Sequence, residues 1–418
     1  MEHTKRDNTA VIILSIFLAY LTYIYIIHDV PLLLSDYHGH THVYLPLFTG
    51  DTWLQGWKAV PYCMWHLCVL GIHNILHIPL HSAAAYVSIF FSLLSFYITY
   101  WILLKYTAAA GKPMHSIKAA FITFGLSIIQ PLYLYWLDAG TRFLGSYSMN
   151  PLHNPTQMCA RPFVLLCICL VYDIWNKIED DSYNGVFFHT KSGWRGLYIR
   201  LAIYLFLSTL AKPTFSEMFI PAVAFIMLAE WIRRIRKKNG SASAYFQHCL
   251  HMLYCAVPSL LYILISFLAY FVLGGSYGAA EGGSLIITKW LEVWSMFTDN
   301  VTLSIALGLA FPLFVILLDL RFFLKDNLGR LALIGYGVSF LEAALLGESG
   351  IKLSHGDFMW PMLWGMAMLF LAATLHLSVL EKDQGNTRVK SFLIDAAWFI
   401  FWLHVLCGFL LIKQVVTG

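Results

Sequence analysis

Long runs of apolar residues, separated by short polar stretches, recur along the whole chain. A membrane-spanning helix needs about 20 mostly apolar residues, and we interpret eleven segments of the chain as spans. They cover residues 10–33, 84–105, 117–136, 158–175, 196–211, 215–232, 246–273, 301–320, 330–346, 359–379 and 391–413. The pattern predicts an all-α polytopic membrane protein, with a single transmembrane domain over residues 1–418.

Composition agrees with this interpretation. Hydrophobic residues make up 59% of the 418-residue chain and charged residues 12%, whereas charged residues make up about 25% of a typical soluble domain. The formal net charge of +4 is the small basic excess expected from membrane-protein loops, so no nucleic-acid partner is needed to explain it. The eight cysteines are scattered, mostly within apolar runs, which favours buried thiols over a disulfide framework or a zinc site.

The positions of the lysines and arginines predict an orientation. Cytoplasmic loops are enriched in these residues, and placing the N-terminus in the cytoplasm leaves 20 of the 27 basic residues on that side. The exceptions are Lys58, Arg142, Arg161, Lys212, Lys289, Lys352 and Lys413. The first apolar run also has no small-residue cleavage site, so we expect it to be a retained span and not a signal peptide.

Two loops are long enough to describe. Residues 35–83 form the first external segment, in which His66, His73, His77 and His81 recur at spacings close to one or two helical turns. This spacing predicts an amphipathic helix that lies on the bilayer surface. Residues 176–195 form the longest polar cytoplasmic loop.

Four polar clusters fall on the external side in this orientation. They are "SDYHGHTH" (35–42), "WLDAGTRFLGSYSMNPLHNPTQMCARPF" (136–163), "AKPTFSE" (211–217) and "GESGIKLSHGDF" (347–358). Ionisable groups at membrane depth are costly, which makes them functional candidates by default. We therefore expect these distant segments to converge on one site.

The clusters combine cations with carboxylates, and each class suggests a chemical role. Arg161 and Lys212, together with Arg142 or Lys352, suit an anionic phosphate, and Asp36 is a candidate general base with His153 as the next candidate. The candidate substrate-binding residues all lie in the four clusters: His38, His40, His42, Asp138, Arg142, Asn150, Asn154, Thr156, Arg161, Lys212, Glu348, Lys352, His355 and Asp357.

Several of these residues also fit purely structural roles. Asp36 suits a helix cap, Asn150 and Asn154 suit turns, and Lys212 suits an interfacial position from which its amine reaches the headgroups. A further alternative concerns a cofactor: in an extended segment His38, His40 and His42 would share one face, and with Asp36 they would suit a divalent metal.

The arrangement resembles the GT-C superfamily of integral-membrane glycosyltransferases. The resemblance lies in an Asp directly after span one, a long first external loop with interfacial helices, and about eleven spans. The strings "DYHGHTH", "NPLHNPT", "ARPF", "AKPTF" and "ESGIKLSHGDFMW" also resemble uncharacterised bacterial membrane proteins associated with surface polysaccharide synthesis. The resemblance implies a bacterial cytoplasmic membrane, a polyprenyl-phosphate sugar donor, a glycan or lipid-linked acceptor at the external face, and Asp36 as the catalytic carboxylate.

Three functions follow as hypotheses. The first is a glycosyltransferase that moves one sugar from the lipid-linked donor. The second is a polysaccharide polymerase or ligase that uses the same class of donor but transfers a whole repeat unit. The third is a transporter or flippase of a lipid-linked glycan, which predicts ionisable residues in the middle of spans in both halves of the chain. Most spans are apolar in their middles, which favours the first two hypotheses.

Overall fold

The structure, a computed structural model, describes residues 5–33, 35–49, 53–133, 148–190, 193–237, 242–269, 284–383, 385 and 387–417. Its long helices are α1 (Lys5–Asp29), α5 (Leu80–Ala109), α7 (Pro155–Glu179), α8 (Gly193–Ala211), α9 (Thr214–Arg236), α10 (Ala242–Phe267), α11 (Val301–Leu318), α13 (Asn327–Leu345), α14 (Pro361–Leu380) and α15 (Arg388–Thr417). The shorter ones are α2 (Asp36–His38), α3 (Trp53–Ala59), α4 (Met64–Leu76), α6 (Ser116–Ile128) and α12 (Leu320–Lys325).

Within these described ranges, nine segments are helical, long and apolar enough to cross a membrane. They are Thr9–Asp29, Leu80–Ala109, Pro155–Glu179, Thr214–Arg236, Ala242–Phe267, Val301–Leu318, Asn327–Leu345, Lys352–Leu380 and Arg388–Thr417. In a bilayer every backbone N–H and C=O must be paired within the protein, which a helix achieves within one segment. The prediction of an all-α polytopic membrane protein is confirmed.

The other two predicted spans correspond to α6 and α8. Helix α6 ends at Ile128, eight residues before the predicted span ends, and the chain that follows pairs with α15. The N–H of Gln130 donates to the carbonyl of His404, and His404 Nδ1 lies 2.7 Å from the carbonyl oxygen of Gln130. Pro131 also disfavours a helical conformation at Gln130. Helix α8 covers the whole of the other predicted span, with Arg195 and Arg200 in its first half.

Close helix packing fixes the part of the chain that carries the fourth polar cluster. Helices α13 and α14 lie against each other, and a Cβ atom built on Gly365 would lie 2.2 Å from the Ser339 hydroxyl and 3.1 Å from the backbone of Tyr336. Small residues at such positions allow the backbones of membrane helices to approach closely. The chain between the two helices therefore has both of its ends fixed.

A short antiparallel ribbon joins the segment before α11 to the segment after α13. Strand β1 (Leu285–Ile287) pairs with β2 (Leu346–Glu348), and Leu285 lies opposite Glu348. Two short 3₁₀ helices, Gly350–His355 and Asp357–Met359, then lead into α14. Within the described residues the cysteines form no disulfide, and five of the eight are buried.

Candidate functional site

A cavity of about 460 Å³ is lined in part by residues of two predicted polar clusters, 211–217 and 347–358. Its walls come from the first-loop segment, the α8–α9 junction, the end of α10, the end of α13 and the chain between α13 and α14. The ionisable residues that line it are Lys212, Glu217, Glu342, Glu348, Lys352, His355 and Asp357, and the aromatic ones include Tyr44, Tyr62, Tyr262, Phe358 and Trp360. Segments far apart in sequence thus form one concave polar surface.

Lys212 occupies the junction between α8 and α9. Pro213 follows it and interrupts the helical pattern, so α8 ends at Ala211 and α9 begins at Thr214. The ammonium group lies 3.9 Å from the centre of the Tyr62 ring. Burial lowers the pKa of Lys212, and the carboxylates of Asp357, Asp36 and Glu217 act in the opposite direction. A cation that is desolvated on one side and faces carboxylates is well placed for an anionic ligand.

Asp36 follows α1 and begins the one-turn helix α2, whose N-cap is Ser35. The Asn154 side-chain amide donates to Asp36 Oδ2 over 3.0 Å. Burial raises the pKa of Asp36, while the Asn154 hydrogen bond and the charge of Lys212 lower it. The carboxylate lies within the electrostatic influence of the cavity residues Lys212 and Asp357 but is not itself part of the cavity lining.

The fourth cluster contributes the most ionisable side chains. Glu348 and Lys352 are buried, whereas His355 and Asp357 are exposed at the cavity wall. Burial raises the pKa of Glu348 to about 7, with Asp357 acting in the same direction and Lys352 against it. This cluster therefore brings a second buried lysine to the same cavity as Lys212.

The expectation that His38, His40 and His42 share one face of an extended segment is wrong, because residues 36–44 form helical turns. His38 and His42 are four residues apart and stack at 5.0 Å between ring centres, while His38 Nδ1 lies 2.9 Å from the carbonyl oxygen of Val30. His40 points elsewhere, and its Nδ1 lies 3.1 Å from Nε2 of the buried His66. Within the described residues no group of three or more His, Cys, Asp or Glu side chains could hold a metal ion.

The second cluster divides into residues near Asp36 and residues away from it. Asn154 caps α7, and its Oδ1 accepts from the backbone N–H of Gln157 and the hydroxyl of Thr156. Asn150 caps the preceding 3₁₀ turn through the N–H of Leu152. His153 is buried, stacks on the cavity residue Trp360 at 5.4 Å, and has a pKa lowered to about 3 by burial. It faces the ring of Trp360 and does not line the cavity.

Arg161 does not line the cavity either. It lies on α7, where one guanidinium nitrogen donates to the carbonyl of Leu126 over 2.7 Å. It lines a separate small space with Thr99, Met149 and Trp364, among mostly apolar side chains. The predicted grouping of Arg161 with Lys212 is thus not found. Asp138 and Arg142 lie outside the described residues.

Several cavity residues were absent from the sequence-based site. Glu217 and Glu342 come from α9 and α13 and face the same space. Both carboxylates lie near the ends of apolar segments, and Glu217 belongs to the predicted cluster 211–217. The sequence therefore indicated them as ionisable groups near the membrane surface, although neither was chosen as a binding residue. Tyr62 and Tyr262 carry no such signal, because Tyr is common at membrane interfaces.

Comparison with known proteins adds no relative. A search against models of protein families finds no match, and a search of curated protein sequences finds none either.

Proposed function

We propose that the protein is a membrane glycosyltransferase of GT-C type, which moves a sugar from a polyprenyl-phosphate donor to an acceptor during cell-surface glycan synthesis. The observation that carries the proposal is one cavity with two buried lysines, several carboxylates and aromatic walls. Lysines are suitable ligands for a phosphate, carboxylates for sugar hydroxyls and proton transfer, and aromatic rings for the apolar faces of a sugar.

In this proposal the residues act in three groups. Lys212 and Lys352 bind the donor phosphate and stabilise the charge that develops on it as the sugar leaves. Asp36 accepts the proton of the acceptor hydroxyl, held in place by Asn154. The geometry of the three histidines gives them no common ligand, so the proposal assigns no metal to Asp36, His38, His40 and His42.

The proposed topology has eleven crossings, with the N-terminus in the cytoplasm and the cavity at the external face of a bacterial cytoplasmic membrane. Nine crossings are the apolar segments described above. The remaining two are α8, whose 19 residues correspond to about 28 Å of helix, and α6 with its non-helical continuation. A donor with a lipid tail confines the reaction to the membrane surface, which is where the cavity lies in this topology.

The alternatives differ in their products. A polymerase or ligase would transfer a whole repeat unit from the same class of donor, so the mass of the product separates it from a transferase. A flippase would move the donor across the membrane unchanged. Co-purified lipid identified by mass spectrometry gives the first test. A polyprenyl phosphate supports a lipid-linked substrate, which all three hypotheses share, and chemical conversion of that lipid separates the two enzymes from a flippase.

The decisive variant is Asp36→Asn, which keeps most of the side chain's shape and capping capacity but removes its basicity. General base catalysis typically contributes about 10²–10⁴-fold, so the turnover measured with a polyprenyl-phosphate sugar should fall by about that factor. Expression, thermal stability and donor binding should persist. Near-full transfer by Asp36→Asn would leave Asp36 with only its hydrogen bond from Asn154 and overturn the mechanism.

A further inference from the structure

Glu348 is a buried residue of the cavity lining, and one oxygen of its carboxyl group has no hydrogen-bond partner among the described residues. Its residue is 6% exposed, and its Oε2 atom has no hydrogen-bond partner among the described residues. A buried carboxylate oxygen without a donor is costly if the group is ionised and much less costly if it carries a proton. Glu348 is one of the residues that line the space that would hold the donor.

The surrounding chain holds this carboxyl group rigidly. Glu348 ends strand β2, whose pairing with β1 places Leu285 opposite it. At the preceding residue, a Cβ built on Gly347 would lie 2.8 Å from side-chain atoms of both Leu353 and Thr288. Close packing of this kind leaves the strand little freedom to move. The carboxyl group therefore has a fixed direction relative to the rest of the site.

The charged neighbours of Glu348 are one lysine and one carboxylate. The charges that act on it come from Lys352 and Asp357, both in the chain between β2 and α14. Glu348 also acts electrostatically on Tyr62, another lining residue, whose ring lies 3.9 Å from the Lys212 ammonium group. Glu348 thus lies within the influence of Lys352, whereas Asp36 lies within that of Lys212 and is hydrogen-bonded to Asn154.

We propose that Glu348 is the general acid of the transfer reaction, which gives its proton to the departing phosphate. This inference rests on the proposed glycosyltransferase function and adds a second proton-transfer residue to it. Asp36 and Glu348 would then act in opposite directions, as expected where the environments of two carboxyl groups in one site differ. Asp36 accepts a hydrogen bond that favours its ionised form, and Glu348 has no such bond.

In the proposed reaction one bond forms at the anomeric carbon and one breaks. The acceptor oxygen forms a bond to the anomeric carbon of the sugar as its proton passes to Asp36. The bond between that carbon and the phosphate oxygen breaks, and its electron pair stays on the oxygen. The proton of Glu348 passes to the same phosphate, and Lys212 and Lys352 stabilise the remaining charge. Glu348 then regains a proton from solvent, and Asp36 releases one.

The pKa of about 7 for Glu348 gives the inference a signature in the pH dependence. A general acid is active in its protonated form, so the turnover number should fall as the pH rises through about 7. The charge of Asp357 raises the pKa of Glu348, so Asp357→Asn should move this decline to lower pH. A residue that only binds substrate would change KM and leave the decline in place.

The experiment measures transfer from a short-chain polyprenyl-phosphate hexose by purified full-length protein, at pH values on both sides of 7. In Glu348→Gln the turnover number should fall by about 10²–10⁴-fold, the alkaline decline should disappear, and the donor KM should change little. The amide is neutral, like the protonated acid, so the thermal unfolding midpoint should stay close to that of the wild type.

Glu292→Gln is the matched control, because Glu292 accepts a hydrogen bond from the N–H of Lys289 near the same ribbon and does not line the cavity. An unchanged alkaline decline in Glu348→Gln, or a change confined to KM, would overturn the assignment. If Glu348→Gln fails to fold, an unshifted decline in Asp357→Asn overturns it instead. A wild-type protein that transfers sugar without an alkaline decline refutes only the general acid, whereas one that transfers no sugar refutes the proposed function.

Discussion

Asn154 shows how a single side chain can serve both the fold and the site. Its carbonyl oxygen caps α7, and its amide nitrogen donates to Asp36. The sequence motif "NPLHNPT" indicates turns and a helix start, because Asn is a favoured N-cap residue. The second role depends on a residue 118 positions away, and no local pattern in the sequence could have predicted it.

Lys212 and Arg161 provide a contrast that the sequence alone could not resolve. Both are cations at the ends of apolar segments, but Lys212 lines the cavity and Arg161 hydrogen-bonds to a backbone carbonyl elsewhere. Which way a side chain points depends on how its helix is rotated in the bundle, and a segment located only by its hydrophobicity leaves that rotation undetermined. Lys212 was predictable because a proline junction at membrane depth must line a cavity or be packed in protein.

The contrast predicts different effects of removing each charge. Lys212→Gln should weaken binding of a polyprenyl-phosphate donor by about 1.5–3 kcal/mol, the value of a hydrogen bond to a charged group, or about 10- to 150-fold. Arg161→Gln should leave donor affinity within about twofold, since its guanidinium is away from the cavity. Equilibrium binding of the labelled donor to the two purified variants provides the measurement. If Arg161→Gln lost more donor affinity than Lys212→Gln, we would infer that the phosphate binds near α7 and not in the cavity.

At the scale of the elements, the hydrophobic pattern predicts where helices exist better than where they end. The centres of all eleven predicted spans lie within helices, because long apolar runs have few alternatives in a membrane. The end of α6 was not predicted, since it depends on reciprocal hydrogen bonds between Gln130 and His404. The helical form of residues 36–44 was also missed, because alternating histidines match the two-residue repeat of a strand.

Helix α7 and the loop that follows it are joined by one carboxylate. Asp173 accepts hydrogen bonds from the hydroxyl of Tyr183 and from the backbone N–H groups of Val186, Phe187 and Phe188, at 2.7–3.0 Å. Backbone donors that are buried must be paired. The sequence shows this loop only as a polar stretch, so the attachment is a finding of the structure.

This attachment predicts a large stability effect from one substitution. Asp173→Ala should lower the free energy of unfolding by about 3 kcal/mol or more, because several buried donors lose their acceptor at once. Asp180→Ala, which removes an exposed carboxylate bonded only to Ser182, should change it by less than about 0.5 kcal/mol. Thermal unfolding in detergent and limited proteolysis of residues 180–190 measure both. Equal stability of the two variants would show that the loop does not depend on Asp173.

At the scale of the whole molecule, the distribution of charge predicted which polar segments lie together. Counting lysines and arginines predicted that four separate clusters lie on one side of the membrane. Residues of two of them, 211–217 and 347–358, line one cavity, and Asp36 of the first cluster is hydrogen-bonded to Asn154 of the second. The prediction uses loop charge to choose the side and site chemistry to choose the residues, and the side stays a prediction. It could not rank the residues within a cluster, since depth and direction are set by packing.

The orientation itself is open to a direct test with cysteine accessibility. Ser354, between α13 and α14, and Gln55, in α3, are exposed on segments that also contribute to the cavity or adjoin it. Ser182 and Lys237 are exposed on the loops after α7 and α9. Each is changed to Cys in a background where the half-buried Cys68, Cys249 and Cys407 are replaced. A membrane-impermeant maleimide added to intact cells should label the first pair, and the second pair should react only after permeabilisation.

Ser182 and Lys237 also test the hairpin of α8 and α9. Two separate crossings return the chain to the side from which it started, so both residues should react on the same side. If α8 and α9 together crossed only once, Lys237 would be labelled from outside and Ser182 from inside, and every later loop would be inverted. The basic run around Arg233 would then face outward, against the charge rule that sets topology. Labelling of Ser354 only after permeabilisation would place the cavity in the cytoplasm and contradict an external site.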